Sequence, residues 1–459
     1  MSGAFPVALS GCGAMMSSDR VGGVRWFLVF WLFVLSAVSY LDRVNISIAG
    51  NSISQEFHLG TLQLGWVFSA FLIGYALFQT PGGWLADHLG PRKVLTVGVV
   101  WWGIFTALTA ALSPKLAGGL FFFVLIRFLL GAGEAIIFPA SNQFVSRWIP
   151  SQERGVANGL IFAGVGAGAS SAPILVTYLM VHYGWRWSFW VSALLGLLAG
   201  LIWFLVARDN PADHPRVSRS ELAHIQAGVL PSGSATCTPD DPWKQIAHVA
   251  HHRLSWSTIL SSRDVWAVTF SYFCFGYVAW IFFSWFYIYL VKVRGLDLRS
   301  SAFYTTLPPL AMVVCSLLGG VVSDFLTKSR GKRLGRCGVG AIALVLAAMF
   351  LVLGSRAESA RVASFVLSGG AGALYLSQSS YWSVTTEVAG ASAGSASGFM
   401  NMGAQLGGAL TSSLTPAIAL RYGWTTSFLV AAVLSLMGAM AWLIVDPDRS
   451  LLQAPTTTP

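Results

Sequence analysis

The stretch Phe121–Ser146, FFFVLIRFLLGAGEAIIFPASNQFVS, is long and apolar enough to cross a bilayer as a helix, yet it contains Arg127 and Glu134. A charge at the centre of a bilayer costs at least about 2.5–3.5 kcal/mol, so an ionisable residue there is a candidate functional residue. Arg127 and Glu134 are seven positions apart, which places them on one face of a helix. The stretch therefore predicts a membrane helix that turns a charged face toward a polar interior.

One other apolar stretch carries charges of this kind. It is the first of the chain, in which Asp42 and Arg43 are adjacent. Buried charges in membrane helices usually face the interior of the bundle, where they find partners or line a water-filled cavity. We therefore expect these two residues, together with Arg127 and Glu134, to meet at one cavity.

The composition places the whole chain in the membrane. Its 459 residues are 55% hydrophobic and only 10% charged, with a mean hydropathy of +0.66, and apolar runs near the length of a membrane helix recur along it. The net charge of +10 does not indicate a nucleic-acid partner, because the basic residues lie between the apolar runs. The fold class expected is an all-α integral membrane protein in contact with lipid.

Hydropathy predicts twelve membrane helices in two halves of six. They are expected at approximately 25–50, 62–86, 94–112, 118–146, 154–180, 186–207, 264–292, 300–325, 337–354, 361–387, 393–419 and 425–446. The predicted organisation is a disordered cytoplasmic tail (1–23), an N-terminal bundle (24–207), a polar cytoplasmic loop (208–263), a C-terminal bundle (264–446) and a second cytoplasmic tail (447–459).

The distribution of Lys and Arg predicts the orientation. Basic residues concentrate in the segments that share a side with both termini, although the segment 292–299 is an exception. Because cytoplasmic loops carry the excess of Lys and Arg, both termini are expected in the cytoplasm.

An internal repeat relates the two halves. A shift of 239 residues superposes four glycines of the first half on four of the second without a gap, namely Gly155, Gly159, Gly164 and Gly168 on Gly394, Gly398, Gly403 and Gly407. A shift of 237 residues superposes Gly83 and Asp87 on Gly320 and Asp324. Parallel repeats with a binding site between them at the membrane midplane are a known transporter architecture, although glycine rows also serve close helix packing.

The segment between the second and third predicted helices, GWLADHLGPRK, resembles the signature of the major facilitator superfamily. The matching residues are Gly83, Asp87, Gly90, Arg92 and Lys93, and the second half repeats the motif weakly at Gly320 and Asp324. The resemblance implies a gating role, in which an acid at a helix end holds two helices together while the cavity is closed on the cytoplasmic side.

Three further motifs resemble the anion:cation symporter family within that superfamily. They are Tyr40–Asn45 (YLDRVN), Gly74–Gly83 (GYALFQTPGG) and Arg127–Pro139 (RFLLGAGEAIIFP). The resemblance implies uptake of a small organic anion, such as a sugar acid or another carboxylate, driven by protons across the inner (plasma) membrane. It implies no cofactor, since the proton gradient supplies the energy, and we expect a monomer.

The charged residues suit this chemistry. Arg43 and Arg127 are expected at similar depth, where they can converge on one carboxylate, because a guanidinium binds a carboxylate bidentately and stays charged. Glu134 is the expected proton carrier and Asp42 its partner, because burial favours the neutral form of a carboxylic acid. The alternative is that Asp42 with Arg127, or Glu134 with Arg43, forms a permanent salt bridge that only fixes helix packing.

Polar and aromatic residues elsewhere complete the predicted substrate site. They are Tyr75 and Gln79, one helical turn apart, and Ser379, Trp382 and Asn401 in the tenth and eleventh helices. Trp382 and Asn401 also match positions at which the family binds substrate hydroxyls. For each residue the alternative role is a hydrogen bond between helices.

Other functions fit less well. His248, His251 and His252 lie in a polar loop without a ligand framework, so no metal site is predicted. No phosphate-binding loop or catalytic constellation is present in the sequence, so the chain is not expected to be an enzyme. The alternatives left open are an organic-anion exchanger or exporter of the same fold and a membrane sensor that binds an anion without moving it.

Overall fold

The computed structural model describes residues 22–229, 254–296 and 298–451, and every regular element in these ranges is helical. Most of the two predicted tails, and the histidines His248, His251 and His252, lie outside the described residues.

The first half contains seven helices and is followed by a shorter one. Their bounds are α1 Val24–Glu56, α2 Thr61–Leu89, α3 Pro91–Ala111, α4 Gly119–Glu134, α5 Ile137–Trp148, α6 Arg154–Tyr183 and α7 Trp185–Val206, with α8 at Arg219–Val229. The segment predicted as a central loop therefore includes a helix, and α8 is attached to the first half through Glu221, which accepts a hydrogen bond from the backbone N–H of Arg25 at 3.1 Å.

The second half repeats this plan. Its helices are α9 Trp256–Ser261, α10 Arg263–Ser284, α11 Phe286–Lys292, α12 Leu298–Arg330, α13 Val339–Arg356, α14 Ala360–Leu376, α15 Gln378–Ala389, α16 Ala393–Tyr422 and α17 Trp424–Ala441. Each of the twelve predicted helices has a counterpart among these elements.

Ten helical segments of the described ranges are long and apolar enough to span a membrane. The tenth and eleventh predicted helices are not among them, because small and polar residues lower their hydropathy. The tenth corresponds to α14 and α15, which meet at Ser377, and the eleventh corresponds to α16, which is rich in Gly, Ser, Asn and Gln. Because most of α15 and the first half of α16 are buried among other helices, they do not need apolar side chains throughout.

The fourth predicted helix is also divided, directly after Glu134. Pro139 is the third residue of α5, and it has no N–H to donate to the preceding turn, so the hydrogen-bond ladder is interrupted here. At the corresponding break in the second half, the hydroxyl of Ser377 donates to the carbonyl of Leu374 at 2.6 Å. Both breaks leave a helix end next to the interface between the halves.

On the side of the protein where α1 begins, each half caps a helix of the other. The carboxylate of Asp87, at the end of α2, accepts hydrogen bonds from the backbone N–H groups of Gly394 (2.9 Å) and Ser395 (2.8 Å) and from the Ser395 hydroxyl. These amides begin α16, where the helix dipole favours a negative charge.

The second half forms the same contact in return. Asp324, on α12, accepts hydrogen bonds from the N–H groups of Gly155 (2.9 Å) and Val156 (2.7 Å) at the start of α6, and it pairs with Arg336 at 2.7 Å. These two contacts follow the internal repeat, since Asp87 and Asp324 correspond to one another. The halves are therefore joined by a pseudo-symmetric pair of caps, and the structure is closed at this end.

Three other residues of the first-half motif, Gly90, Arg92 and Lys93, lie within their own half. Gly90 links α2 to α3 with a φ of 89°, which only glycine adopts readily. Arg92 donates to the backbone carbonyl of Phe204 at the end of α7, at 2.7 Å from Nη2, and the Lys93 side chain is exposed.

Gly83 makes the closed end possible, and a larger residue there is expected to open it. A Cβ atom on Gly83 would lie 2.0 Å from the carbonyl oxygen of Gly394, and overpacking of this kind costs about 1–3 kcal/mol or more. In Gly83→Val we expect the amides of Gly394 and Ser395 to exchange their hydrogens about 10-fold faster or more. Unchanged exchange would contradict the assigned contact. Gly65→Val is the matched control, because a Cβ on Gly65 of the same helix meets nothing within 4 Å.

At the opposite end, Glu56 ties α1 to α7. It accepts hydrogen bonds from Trp185 Nε1 and from Arg186 Nη1, both at 2.7 Å, and the guanidinium of Arg186 also donates to the backbone carbonyls of Ala110 (3.1 Å) and Leu112 (3.1 Å). The hydrogen bond from Arg186 holds the pKa of Glu56 below its usual range. This contact lies within the first half, so it fixes that half internally.

The lowered pKa of Glu56 predicts a pH-dependent contribution to stability. A carboxylate whose pKa is lowered by folding stabilises the fold at pH values above its unfolded-state pKa of about 4.3. This stabilisation is lost as the pH falls through the folded-state pKa. Because the pair is about one-third exposed, we expect about 1 kcal/mol or less. The check is the difference between the thermal unfolding midpoints of wild type and Glu56→Gln. This difference should shrink below about pH 4.3. A constant difference would contradict the assignment.

Candidate functional site

A cavity of about 230 Å³ lies between the two halves. Its polar lining consists of Tyr40, Arg43, Ser47, Tyr75, Tyr272, Tyr375, Gln378, Asn401 and Gln405, and the remainder is phenylalanine, Trp280 and small residues. Drug-sized pockets occupy about 300–1,000 Å³, so this cavity suits a smaller molecule. Among its described lining residues, Arg43 is the one that carries a formal charge.

Aromatic rings and one carboxylate hold Arg43 in place. Its guanidinium carbon lies 4.5 Å from the ring centre of Tyr40, 4.3 Å from that of Tyr75 and 5.2 Å from that of Phe71. Nη2 is 2.6 Å from Oε1 of Glu134, while Nε has no hydrogen-bond partner among the described residues. Arg43 is therefore a largely buried, oriented cation with donor capacity left over.

Glu134 ends α4 and is fully buried. Its Oε1 accepts hydrogen bonds from Arg43 and from the Ser39 hydroxyl, each at 2.6 Å, whereas Oε2 has no partner in the described part of the chain. The Glu134 carboxylate therefore has acceptor capacity left over beside the Arg43 guanidinium.

Asp42 and Arg127 lie behind this pair, outside the cavity lining. Asp42 Oδ2 accepts hydrogen bonds from Trp102 Nε1 at 2.9 Å and from the Thr106 hydroxyl at 3.5 Å. The guanidinium carbon of Arg127 lies 4.8 Å from the ring centre of Phe71, and the residue is buried. Arg43 and Arg127 were expected to converge on one carboxylate. In the structure both lie against Phe71, and Arg43 alone of the two lines the cavity.

The polar residues predicted for the substrate site fall into two groups. Tyr75 and Asn401 line the cavity. Gln79, Ser379 and Trp382 are buried and do not line it: the side-chain polar atoms of Gln79 and Ser379 lack partners among the described residues, and Trp382 packs on other aromatic rings.

Sequence reasoning did not select several lining residues. Tyr40 lies in a quoted motif, but Tyr272, Tyr375, Gln378 and Gln405 are not among the residues assigned to the site from the sequence. The sequence signal that could have identified these residues is a polar group within an apolar membrane helix. For tyrosine this signal is weak, since aromatic residues are frequent throughout the membrane helices of this chain.

Comparison with known proteins places the chain among membrane transporters. Residues 32–412 match the family model of the Major Facilitator Superfamily. A probable sulfoacetate transporter of Cupriavidus necator is 35% identical over 89% of this chain and 91% of its own length. A probable galactarate/D-glucarate transporter of Bacillus subtilis is 33% identical over 66% of each chain.

A solved structure shares the fold. The crystallised proton:xylose symporter XylE, bound to 6-bromo-6-deoxy-D-glucose, superposes with a TM-score of 0.73 over 92% of this chain and 95% of that one, at 15% sequence identity. The overall fold is therefore common to both proteins.

Proposed function

Because the chain belongs to the Major Facilitator Superfamily, we propose that it is a secondary transporter that takes up a small organic anion together with a proton. The curated relatives are transporters rather than enzymes, and their named substrates are organic anions. The expected cargo is a sugar acid or a related carboxylate or sulfonate. The proton gradient supplies the energy, so the proposal needs no cofactor.

The observation that carries this proposal is the contact between Arg43 and Glu134 at the cavity wall. An anion that enters the cavity meets one cation, and that cation is already neutralised by Glu134. The anion and the Glu134 carboxylate therefore compete for Arg43. A proton on Glu134 removes the competitor, and loss of the proton restores the ion pair and displaces the anion.

This competition links anion binding to proton binding in both directions, as any two coupled ligands must be linked. Protonation from the side of higher proton concentration favours loading, and deprotonation on the other side favours release. Asp42 is proposed as a secondary proton site, since its Oδ1 has no partner among the described residues. Arg127 is proposed to bias both carboxylates electrostatically rather than to contact the anion.

The two caps at Asp87 and Asp324 provide the gate. Residues 24–207 and 264–446 are proposed to move as two units that rock about the cavity. With these caps formed, the cavity is closed on the side where α1 begins. We propose that this side is the cytoplasm, that the membrane is the inner (plasma) membrane and that the working unit is a monomer. The structure then represents the state that loads anion from outside.

The proposed function is tested with purified protein in liposomes that contain a pH indicator. A panel of organic acids is added outside, and one of them is expected to drive proton entry that protein-free liposomes do not show. If no acid moves protons but one exchanges with its preloaded labelled form, the protein is an exchanger and proton coupling is wrong. Binding without movement of any acid would indicate the sensor.

A further inference from the structure

A groove of about 580 Å³ lies between the start of α1 and the end of α7, away from the central cavity. Val24–Gly50 and Trp185–Val206 are two of the candidate membrane spans, so the groove lies where one span begins and the other ends. Pockets of about 300–1,000 Å³ hold drug-sized groups. The groove is therefore large enough for a lipid headgroup at the membrane surface.

The groove carries a positive charge. Arg208 and Arg216 line it together with His214, and no carboxylate of the described residues does. The Arg216 side chain is exposed and forms no hydrogen bond or ion pair with any described residue. Arg208 Nη1 donates to the backbone carbonyls of Leu205 (3.1 Å) and Ala207 (2.7 Å). Its other guanidinium nitrogens keep their donor capacity for a ligand.

Buried contacts hold the two arginines in place. Trp148 Nε1 donates to the backbone carbonyl of Arg208 at 3.0 Å, and the Trp148 ring packs edge-on against His214. His214 Nε2 donates to the carbonyl of Val206 at 3.1 Å, and Nδ1 accepts from the backbone N–H of Arg216 at 3.2 Å. Burial lowers the pKa of His214, so its ring is neutral near pH 7 and the arginines supply the charge.

The start of α1 adds a further attraction for an anion. The first N–H groups of a helix have no partner within it, and the helix dipole places a positive partial charge there. Glu221 caps the N–H of Arg25, but the N-cap residue Gly23 has no side chain that could cap the others. Gly23 and Val24 line the groove. A phosphate in the groove would therefore be close to both the arginines and this helix end.

Apolar residues continue the groove along the two spans. Phe27 is 46% exposed and Leu205 is 60% exposed, and both line the groove. Exposed apolar side chains within a membrane span contact the acyl chains of lipid. A ligand with an anionic head and apolar chains fits this arrangement, whereas a free phosphate would leave the apolar part unused. A zwitterionic headgroup would bring an ammonium group toward the arginines, with no carboxylate among the described lining residues to pair with it.

We propose that this groove binds one phospholipid with an anionic headgroup, whose phosphate contacts Arg208 and Arg216 and whose acyl chains lie along Phe27 and Leu205. Basic pockets between membrane helices are suited to anionic headgroups. The lipid belongs to the leaflet on the side where α1 begins, and it joins α1 to the end of α7. The groove shares no lining residue with the central cavity, so the proposal does not depend on which substrate is transported.

The test is native mass spectrometry of the full-length protein in detergent, titrated with dioleoylphosphatidylglycerol or dioleoylphosphatidylcholine. We expect one phosphatidylglycerol to bind wild type about 10-fold or more tighter than phosphatidylcholine, because each arginine near an anionic headgroup contributes about fivefold. Equal binding of the two lipids would overturn the proposal. Glycerol 3-phosphate bound as tightly as phosphatidylglycerol would indicate a site for soluble anions and would overturn the assignment to lipid.

Variants locate the site. Arg216→Gln and Arg208→Gln should each weaken phosphatidylglycerol binding about fivefold, while phosphatidylcholine binding is unchanged and reports that the variant is folded. Arg219→Gln is the matched control, since Arg219 is exposed on α8 outside the groove lining, and it should keep the lipid preference. If Arg208→Gln misfolds because α7 loses its cap, Arg216→Gln decides alone. A preference unchanged in Arg216→Gln, or reduced equally in Arg219→Gln, would contradict this site.

Discussion

Replacing Glu134 by Gln is expected to abolish proton-driven accumulation of the anion while exchange of anion across the membrane continues. Gln has nearly the shape of protonated Glu but cannot release a proton, so Arg43 stays available and no proton is carried. Each pH unit of gradient can support about tenfold accumulation, equivalent to about 1.4 kcal/mol, and the variant should lose all of it. The measurements are uptake against a gradient and counterflow of labelled anion in the same liposomes.

Glu56→Gln is the matched control for this prediction. Glu56 also pairs with an arginine, Arg186 at 2.7 Å, but it lies away from the cavity at the far end of α1. This variant should accumulate anion as wild type does. Accumulation retained by Glu134→Gln would show that the proton travels elsewhere, and Asp42 would then be the next carboxylate to replace.

Replacing Arg43 by Lys is expected to weaken anion binding about 10- to 100-fold, although the charge is kept. The planar guanidinium of Arg43 is held between aromatic rings and can present two donors to a carboxylate or sulfonate, whereas an ammonium cannot. Loss of one charge-assisted hydrogen bond costs about 1.5–3 kcal/mol. Equilibrium binding of the anion found in the liposome screen measures the change.

Arg186→Lys is the control for Arg43→Lys, since it alters the corresponding residue of another Arg–Glu pair in the first half. Its affinity for the anion should remain within a few-fold of wild type. If Arg43→Lys binds as tightly as wild type, the anion is not held by Arg43, and Arg127 becomes the candidate cation.

The charged residues could be selected from the sequence because their physical signal is strong. Arg43 and Glu134 stand out as charges in apolar helices, whose burial is costly without a partner. The choice of partners could not be predicted, since pairing of Asp42 with Arg127 was equally compatible with the spacing. The pairing depends on the end of α4 at Glu134, where the Glu134 carboxylate reaches both Ser39 and Arg43.

The contacts of the gate and the second-half wall of the cavity were likewise only partly predictable from the sequence. The internal repeat matched Asp87 with Asp324, but it could not show that both aspartates cap backbone amides of the opposite half. Tyr272 becomes notable only through its hydrogen bond with Gln378, which joins residues 106 positions apart. Such contacts depend on the packing of α10 against α15, which hydropathy does not encode.

Competition between an anion and the Glu134 carboxylate for Arg43 is the central step of the proposed mechanism. The direct measurement is proton uptake when the anion binds, obtained by calorimetry in buffers of different ionisation enthalpy. Wild type should take up about one proton per anion bound at a pH where Glu134 is ionised, and Glu134→Gln should take up none. Anion binding to wild type without proton uptake, or with the same uptake in the variant, would contradict the claim.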